Sequence, residues 1–212
     1  MKSPLADSER DRLIAAMLPD VAFDGWSQHA LRLAAGRIGM PVGEAMALFP
    51  RGAPDMVAAF SRWADRQMLD RLENMPAEPV SLSRRIALAL RLRFDLLLPW
   101  REAVRRGMAV LAMPQNAALG LRLLYETVDG TWYAVGDTAT DFSFYTKRAT
   151  LAGIYAATLL YWLEDRSPGF ADTRAFLDRR LADAARIGQA RRRLQTALDH
   201  LPNPLRLLRA SG

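Results

Sequence analysis

The stretch that most constrains the fold runs from Ala149 to Leu163, fifteen residues without a charged side chain. Apolar residues occupy nearly every face of a helical wheel drawn over it, so a helix here must be buried on most sides. The run is shorter than the roughly 20 residues that a helix needs to cross a bilayer. We therefore expect this helix to lie in the core of a globular protein, and we expect any membrane contact to be made by the protein's surface and not by a spanning helix.

Helix punctuation dominates the rest of the chain. Helices are predicted over 4–18, ending near Pro19, over 27–35 with Ser27 as N-cap, over 41–49, and over 53–74. Further helices are predicted over 82–98, 100–112, 115–133, 141–162, 171–187 and 189–201. The segment 86–94 alternates in places, but its Ala, Leu and Arg content favours helix, which leaves 131–135 (TWYAV) as a short strand candidate. The prediction is an all-α protein with nine to ten helices.

The residue inventory argues against an enzyme. The chain has no cysteine and only two histidines, His29 and His200, which excludes disulfides and thiolate sites and gives no histidine cluster. No Glu-x-x-His pair and no phosphate-binding glycine loop is present. We predict a non-catalytic protein with no metal and no cofactor.

Positive charge is concentrated at the C-terminal end. Residues 1–52 carry six basic and six acidic side chains, whereas residues 174–209 carry nine arginines and three aspartates, a net charge of +6. Attraction to phosphate or anionic lipid is therefore expected at the C-terminus. Four acidic residues among the first twenty argue against a secretory leader, so a cytoplasmic location is expected.

Residues 27–49 have helix–turn–helix spacing, with Gly36 and Gly39 in the turn. A three-helix N-terminal unit ahead of a larger helical domain resembles the TetR-type regulators. The second helix, PVGEAMALF, offers poor donors to base edges, and residues 1–52 have no net positive charge. We interpret the motif as scaffold, and a ligand-responsive repressor that binds DNA through 27–49 is the alternative.

The expected organisation is an N-terminal unit (1–52), a helical domain (53–188) and a C-terminal amphipathic helix and tail (189–212).

The head of the uncharged helix mixes aromatic and charged residues. Aromatic side chains beside arginine at a surface are typical of protein docking sites. The alternative is that these rings cap the core. The candidate docking residues are Asp141, Phe142, Phe144, Tyr145, Lys147 and Arg148.

The C-terminal segment combines an apolar stripe with adjacent arginines, the pattern of an interfacial membrane helix. Packing of the stripe on the body of the protein is the alternative, and Pro202 and Pro204 interrupt the helix. The candidate membrane-binding residues are Arg191, Arg192, Arg193, Leu194, Leu198, Leu201, Leu205 and Leu208.

Three segments, 25–68, 112–124 and 136–183, together resemble the accessory protein family of ubiquinone biosynthesis. The most specific is 136–183, from "GDTATDFSFYTKR" through "SPGFADT". Residues 141–145 match that family's Asp-Phe-Asn-Trp-Tyr docking motif, except for Ser143 in place of asparagine and Phe144 in place of tryptophan.

The resemblance implies a TetR-like fold and a protein that binds an isoprenoid or quinone lipid in an apolar cavity. It also implies docking on the di-iron demethoxyubiquinone hydroxylase at an anionic membrane surface, with the protein peripheral to the inner membrane. The abundance of arginine and alanine beside only two lysines is typical of a GC-rich bacterial genome. By analogy to the fold, a homodimer is expected.

Leu151, Tyr155 and Trp162 share one stripe of the apolar helix and are the candidate lipid contacts. Residues of neighbouring segments that could line the same cavity, although each is more often ordinary core, are Leu96, Leu97, Leu98, Met108, Leu111 and Met113.

Overall fold

The computed structural model describes residues 4–75, 81–136 and 142–199, and side chains over 8–75, 81–136 and 145–190. Within these ranges the chain is all-α, which confirms the predicted fold class. The α-helices are α1 (Pro4–Asp24), α2 (Gln28–Arg37), α3 (Val42–Leu48), α4 (Ala53–Glu73), α5 (Leu82–Leu97), α6 (Arg101–Leu111), α7 (Ala117–Ala134), α8 (Phe142–Glu164) and α9 (Ala171–Asp199). Three short 3-10 helices lie at Leu98–Trp100, Pro114–Asn116 and Pro168–Phe170.

The helix–turn–helix geometry follows from local signals. The Ser27 hydroxyl accepts a hydrogen bond from the Ala30 amide at 3.2 Å and caps α2, as predicted. Gly39, with a φ of 67°, makes the turn into α3, a conformation that side chains other than glycine rarely adopt. Helices α2 and α3 pack against each other and against α1.

The predicted end of the first helix at Pro19 is wrong, because α1 continues through this proline to Asp24. A proline inside a helix disturbs the hydrogen bonds of the carbonyls in the turn before it. Here Arg37 of α2 donates to the Ala16 carbonyl at 2.9 Å and pairs with Asp20. Burial of Val21 beyond the proline further favours the continued helix.

Two other boundaries differ from the prediction. The strand candidate 131–135 is the last turn of α7, where the Thr131 hydroxyl donates to the Thr127 carbonyl at 2.8 Å and Trp132 is buried. The two helices predicted over 171–187 and 189–201 form one helix, α9, because Gly188 is tolerated inside a helix that nothing else interrupts.

Helix α4 lies at the centre of the fold and packs against α1, α5, α6 and α7, while α8 packs against α7 and α9. One core cluster extends from Leu13 of α1 to Leu181 of α9. The proposed division at 52/53 therefore cuts through shared core, and the independence of the two units stays a prediction. None of the described helices is long and apolar enough to cross a membrane.

Candidate functional site

A cavity of about 480 Å³ lies between helices α4 to α8. Its walls are mostly aliphatic, and each of the five helices contributes. The lining residues are Val57, Phe60 and Ser61; Arg93 and Leu97; Val104, Gly107, Met108, Leu111 and Ala112; Ala117, Gly120, Leu121, Leu123, Leu124 and Thr127; and Tyr155, Ala156, Leu159 and Leu160. The volume falls within the range typical of small-molecule sites.

The mouth of the cavity is marked by two exposed leucines. Leu121 of α7 is 69% exposed and Leu160 of α8 is 57% exposed, although both line the cavity. Large aliphatic side chains in this position leave apolar surface in contact with solvent. Ala112, at the end of α6, and Ala117, at the start of α7, also line the cavity and are exposed, so the cavity opens among α6, α7 and α8 with an apolar rim.

The deeper end of the cavity is polar and is organised around Arg93. This guanidinium is only 4% exposed. It donates from Nε to Asp65 Oδ1 at 2.8 Å, from Nη1 to the Tyr155 hydroxyl at 2.6 Å, and from Nη2 to Ser61 Oγ at 3.2 Å. Thr127 Oγ1 donates to both oxygens of Asp65, at 3.0 and 3.1 Å. The result is a hydrogen-bonded cluster at one end of a cavity whose walls are otherwise aliphatic.

The charges in this cluster balance. Burial alone would lower the pKa of Arg93, but the electrostatic influence of Tyr155 and Asp65 and the hydrogen bond to Asp65 outweigh it and raise the pKa. Burial also raises the pKa of the Tyr155 phenol. Arg93 therefore stays charged and Tyr155 stays protonated at neutral pH, and the Asp65 carboxylate neutralises the arginine.

The three candidate lipid contacts lie in different places. Tyr155 lines the cavity. Leu151 and Trp162 are buried in the core and are not among the lining residues. Lipid contact at Leu151 and Trp162 stays a prediction, and it would require the cavity to extend along α8.

Of the neighbouring residues considered from sequence, Leu97, Met108 and Leu111 line the cavity. Sequence reasoning missed Arg93, the main polar group of the site. A signal was present, since Arg93 lies between apolar residues in the alternating segment 86–94 and follows Leu90 by three positions, which places both on one helix face.

The structure describes three of the six candidate docking residues with their side chains: Tyr145, Lys147 and Arg148. Tyr145 is 69% exposed in the first turns of α8. Lys147 lies 5.6 Å from the centre of the Trp132 ring, and Arg148 is buried and donates from Nε to Asp129 at 2.6 Å. These two contacts fasten the head of α8 to α7. Asp141 lies outside the described residues, and the side chains of Phe142 and Phe144 lie outside the described side chains.

The exposed aromatic surface near this end includes one residue that the sequence analysis did not select. Tyr133 of α7 is exposed, next in sequence to the Trp132 ring that Lys147 contacts. The sequence alone does not predict that Tyr133 is exposed, because a single tyrosine in a helix can belong either to the core or to the surface.

The candidate membrane segment lies largely beyond what the structure describes. The backbone at Leu194 and Leu198 is helical within α9. The side chains of 191–199 and all of 200–212, including Leu201, Leu205 and Leu208, are outside the described part. Among the described side chains, no cluster of His, Asp and Glu could hold a metal ion.

Comparisons with known proteins agree with this architecture. The COQ9 family model matches residues 117–188, from α7 to α9. The ubiquinone biosynthesis protein COQ9, mitochondrial, of Rattus norvegicus is 32% identical over 192 residues, covering 87% of this chain and 61% of the relative. The Homo sapiens protein of the same name is 30% identical, covering 87% of this chain and 60% of the relative. The chain thus spans about three-fifths of these mitochondrial relatives.

A solved structure supports the fold. The TetR transcriptional regulator from Nitrosomonas europaea superposes with a TM-score of 0.67 and 22% identity, covering 84% of this chain and 98% of that one. At this identity the likeness concerns architecture alone. The resemblance expected from the sequence is confirmed: this chain is similar to the COQ9 proteins in sequence and has a TetR-like fold.

Proposed function

We propose that this protein is a non-catalytic, lipid-binding accessory protein of ubiquinone biosynthesis. It binds an isoprenoid or quinone intermediate in the cavity lined by helices α4 to α8 and presents it to the di-iron demethoxyubiquinone hydroxylase at the membrane. The observation that carries the proposal is the apolar cavity with an apolar mouth, in a chain similar to proteins named for ubiquinone biosynthesis.

The chemistry of the ligand fits the cavity walls. A polyprenyl chain is almost insoluble in water, and burying each of its methylene-sized groups contributes about 0.8 kcal/mol. Aliphatic side chains from five helices offer the matching surface. The rim leucines Leu121 and Leu160 would keep the tail in contact with apolar groups as it enters.

A non-catalytic role is supported by the hydrogen-bonded polar cluster around Arg93 at one end of the cavity. Arg93, Asp65, Thr127 and Ser61 bond mainly to one another, which fixes their positions. Catalysis needs a group with a pKa near the working pH or an activated nucleophile. Arg93 and Tyr155, with pKa values displaced upward, remain protonated instead.

The partner and the location belong to the same proposal. The exposed Tyr145, with the residues around it, is suited to docking on the hydroxylase. The basic residues 191–193 and the leucines that follow are suited to an anionic surface. The protein would then be cytoplasmic and peripheral to the inner membrane, and the TetR-like fold favours a homodimer.

The proposal is tested by blocking the cavity. Ala156 lines it, whereas Ala157, the next residue of α8, is exposed. We expect Ala156→Phe to reduce the isoprenoid lipid that copurifies with the protein, measured by mass spectrometry, and Ala157→Phe to leave it unchanged. In a strain lacking the gene, we expect loss of ubiquinone with accumulation of the demethoxy intermediate, restored by the wild-type and Ala157→Phe genes but not by Ala156→Phe. A normal quinone profile in the deletion strain would refute the biosynthetic role.

A TetR-type regulator that binds DNA through residues 27–49 is the alternative, favoured by the fold likeness and the α2–α3 geometry. The surface of α3 argues against it, because its exposed residues are Val42, Gly43, Glu44 and Ala47. None of these is a hydrogen-bond donor to a base edge, and Glu44 would repel phosphate. Salt-dependent, sequence-selective binding to the promoter of its own gene would favour the regulator.

A further inference from the structure

We propose that the Tyr155 hydroxyl is the head-group recognition donor of the cavity, and that it donates its proton to a neutral ring oxygen of the bound quinone. This inference rests on the proposed lipid binding and adds to it the orientation of the ligand and the chemistry of its polar end.

The geometry leaves the Tyr155 proton without a protein acceptor. Arg93 Nη1 donates to the phenol oxygen at 2.6 Å, so this oxygen is the acceptor in that bond. Arginine has no acceptor to offer in return. Among the described residues, no oxygen or nitrogen accepts the phenol's own proton. Tyr155 is 5% exposed and lines the cavity, so the free direction for its O–H is the cavity itself.

A buried donor without an acceptor carries a desolvation cost, which a ligand oxygen would remove. The alternative is a water molecule in the cavity. Tyr155 is well held for recognition, since its ring lies 5.8 Å from that of Phe94 and its oxygen is fixed by Arg93. A donor whose position is fixed loses little freedom on binding.

Because the charges of Arg93 and Asp65 already balance, the site favours a ligand whose accepting oxygen is neutral. Arg93 is already paired with Asp65 at 2.8 Å, and Thr127 and Ser61 occupy further bonds of this pair. A carboxylate ligand would bring an extra negative charge close to Asp65 in a poorly solvated space, which is unfavourable. A quinone carbonyl accepts a hydrogen bond without adding charge. The site is therefore suited to a quinone ring more than to a fatty acid.

The positions along α8 give the orientation. Tyr155 and the rim residue Leu160 are five residues apart, which is about 7.5 Å along a helix axis. The buried polar cluster and the exposed apolar rim thus lie at different levels of one cavity. The ring would bind at the level of Tyr155, and the isoprenoid tail would extend past Leu121 and Leu160 to the mouth.

The test compares two probes on the full chain. Binding of ubiquinone with two isoprene units, and of farnesene, an isoprenoid hydrocarbon without oxygen, is measured by equilibrium titration of the wild type, Tyr155→Phe and Tyr161→Phe. Tyr161 is the matched control, because it is on the same helix but is exposed and stacks on Phe176 outside the cavity lining. We expect Tyr155→Phe to weaken quinone binding about three- to tenfold, the range for one neutral hydrogen bond, and to leave farnesene binding unchanged.

Each other outcome has a distinct meaning. If the wild type binds neither probe, the proposed lipid binding fails. If the wild type binds both and Tyr155→Phe alters neither, or weakens both equally, head-group recognition by Tyr155 is wrong while lipid binding stands. Palmitate serves as a third probe, and tighter binding of palmitate than of the quinone, weakened by Tyr155→Phe, would overturn the neutral-oxygen argument in favour of a carboxylate ligand.

Discussion

Asp165, in the turn between α8 and α9, offers a precise test of what fixes the last helix. Its Oδ1 accepts a hydrogen bond from the Ser167 amide at 2.7 Å, and its Oδ2 accepts from the Thr173 amide at 2.9 Å and the Thr173 hydroxyl at 2.5 Å. Its backbone carbonyl accepts from Arg101 at 2.8 Å. This carboxylate therefore joins the end of α8 to the first turn of α9.

The magnitude follows from the pKa of this carboxyl. Burial alone would raise it, but the hydrogen bonds from Thr173 and Ser167 outweigh burial and lower the pKa from 3.8 to about 2. A shift of this size corresponds to about 2.5 kcal/mol at most, and nearer 1 kcal/mol after allowance for solvent around the turn. Asp165→Asn also leaves one backbone N–H facing an amide NH₂. We expect the substitution to lower the free energy of unfolding by about 1–3 kcal/mol at pH 7.

The sign of the pH dependence is fixed by the direction of the shift. A folded pKa below the unfolded value gives a stabilisation that is complete well above pH 3.8 and is lost as pH falls towards 2. The difference between wild type and Asp165→Asn should therefore be constant from pH 7 to about pH 5 and then shrink down to pH 2. The wild-type curve alone is less informative, because Asp20, Asp55 and Glu164 also have lowered pKa values.

Urea unfolding followed by circular dichroism at several pH values measures this difference. Asp70→Asn, the same chemical change at an exposed position of α4, is the control and should change stability by less than about 0.5 kcal/mol. A difference between wild type and Asp165→Asn that stays the same from pH 7 to pH 2.5 would show that the carboxylate charge is not the source of the stabilisation.

Two further predictions concern the surfaces of the proposed function. Tyr145→Ala should weaken copurification of the hydroxylase while shifting Tm by no more than a degree or two, because the ring is 69% exposed; a large loss of Tm would mean that this ring is part of the core. Removal of residues 189–212 should abolish flotation with anionic liposomes at physiological salt, and undiminished flotation would exclude this segment as the anchor.

The helical layout was predictable because its signals are local. The Ser27 cap and the proline at the start of α4 act within one turn of the chain. The predicted helix end at Pro19 is wrong because the contacts that stabilise the continued helix are not local. Arg37, which donates to the Ala16 carbonyl in the turn before this proline, comes from another helix eighteen residues later and cannot be assigned from the neighbouring sequence.

The cavity was predictable in composition but not in position. Helical periodicity placed Tyr155 and Trp162 on the same stripe, but it does not tell which part of a stripe meets a neighbouring helix and which part meets a gap. Phe94 fills the space beside Trp162, with ring centres 5.6 Å apart, whereas Tyr155 and Leu159 of the same helix border the cavity. Gaps of this kind depend on five helices together, so no single segment encodes them.

Helix α8 explains why one segment joins an aromatic, charged head to an apolar body. Tyr145, Tyr155 and Leu160 lie along it within about 23 Å, at 1.5 Å per residue, so the candidate docking surface, the proposed head-group donor and the cavity mouth belong to one element. Arg148 and Lys147 fasten the head to Asp129 and Trp132 of α7, and α7 supplies the other side of the mouth at Leu121. A partner that binds the head of α8 would therefore contact two helices, α7 and α8, that also border the opening. Because Tyr145 and Leu160 are about 23 Å apart along α8, a hydroxylase docked at the head must also extend over the α7–α8 surface to receive the lipid at the mouth, and on the proposed function such a contact would spare the polyprenyl chain from crossing open water.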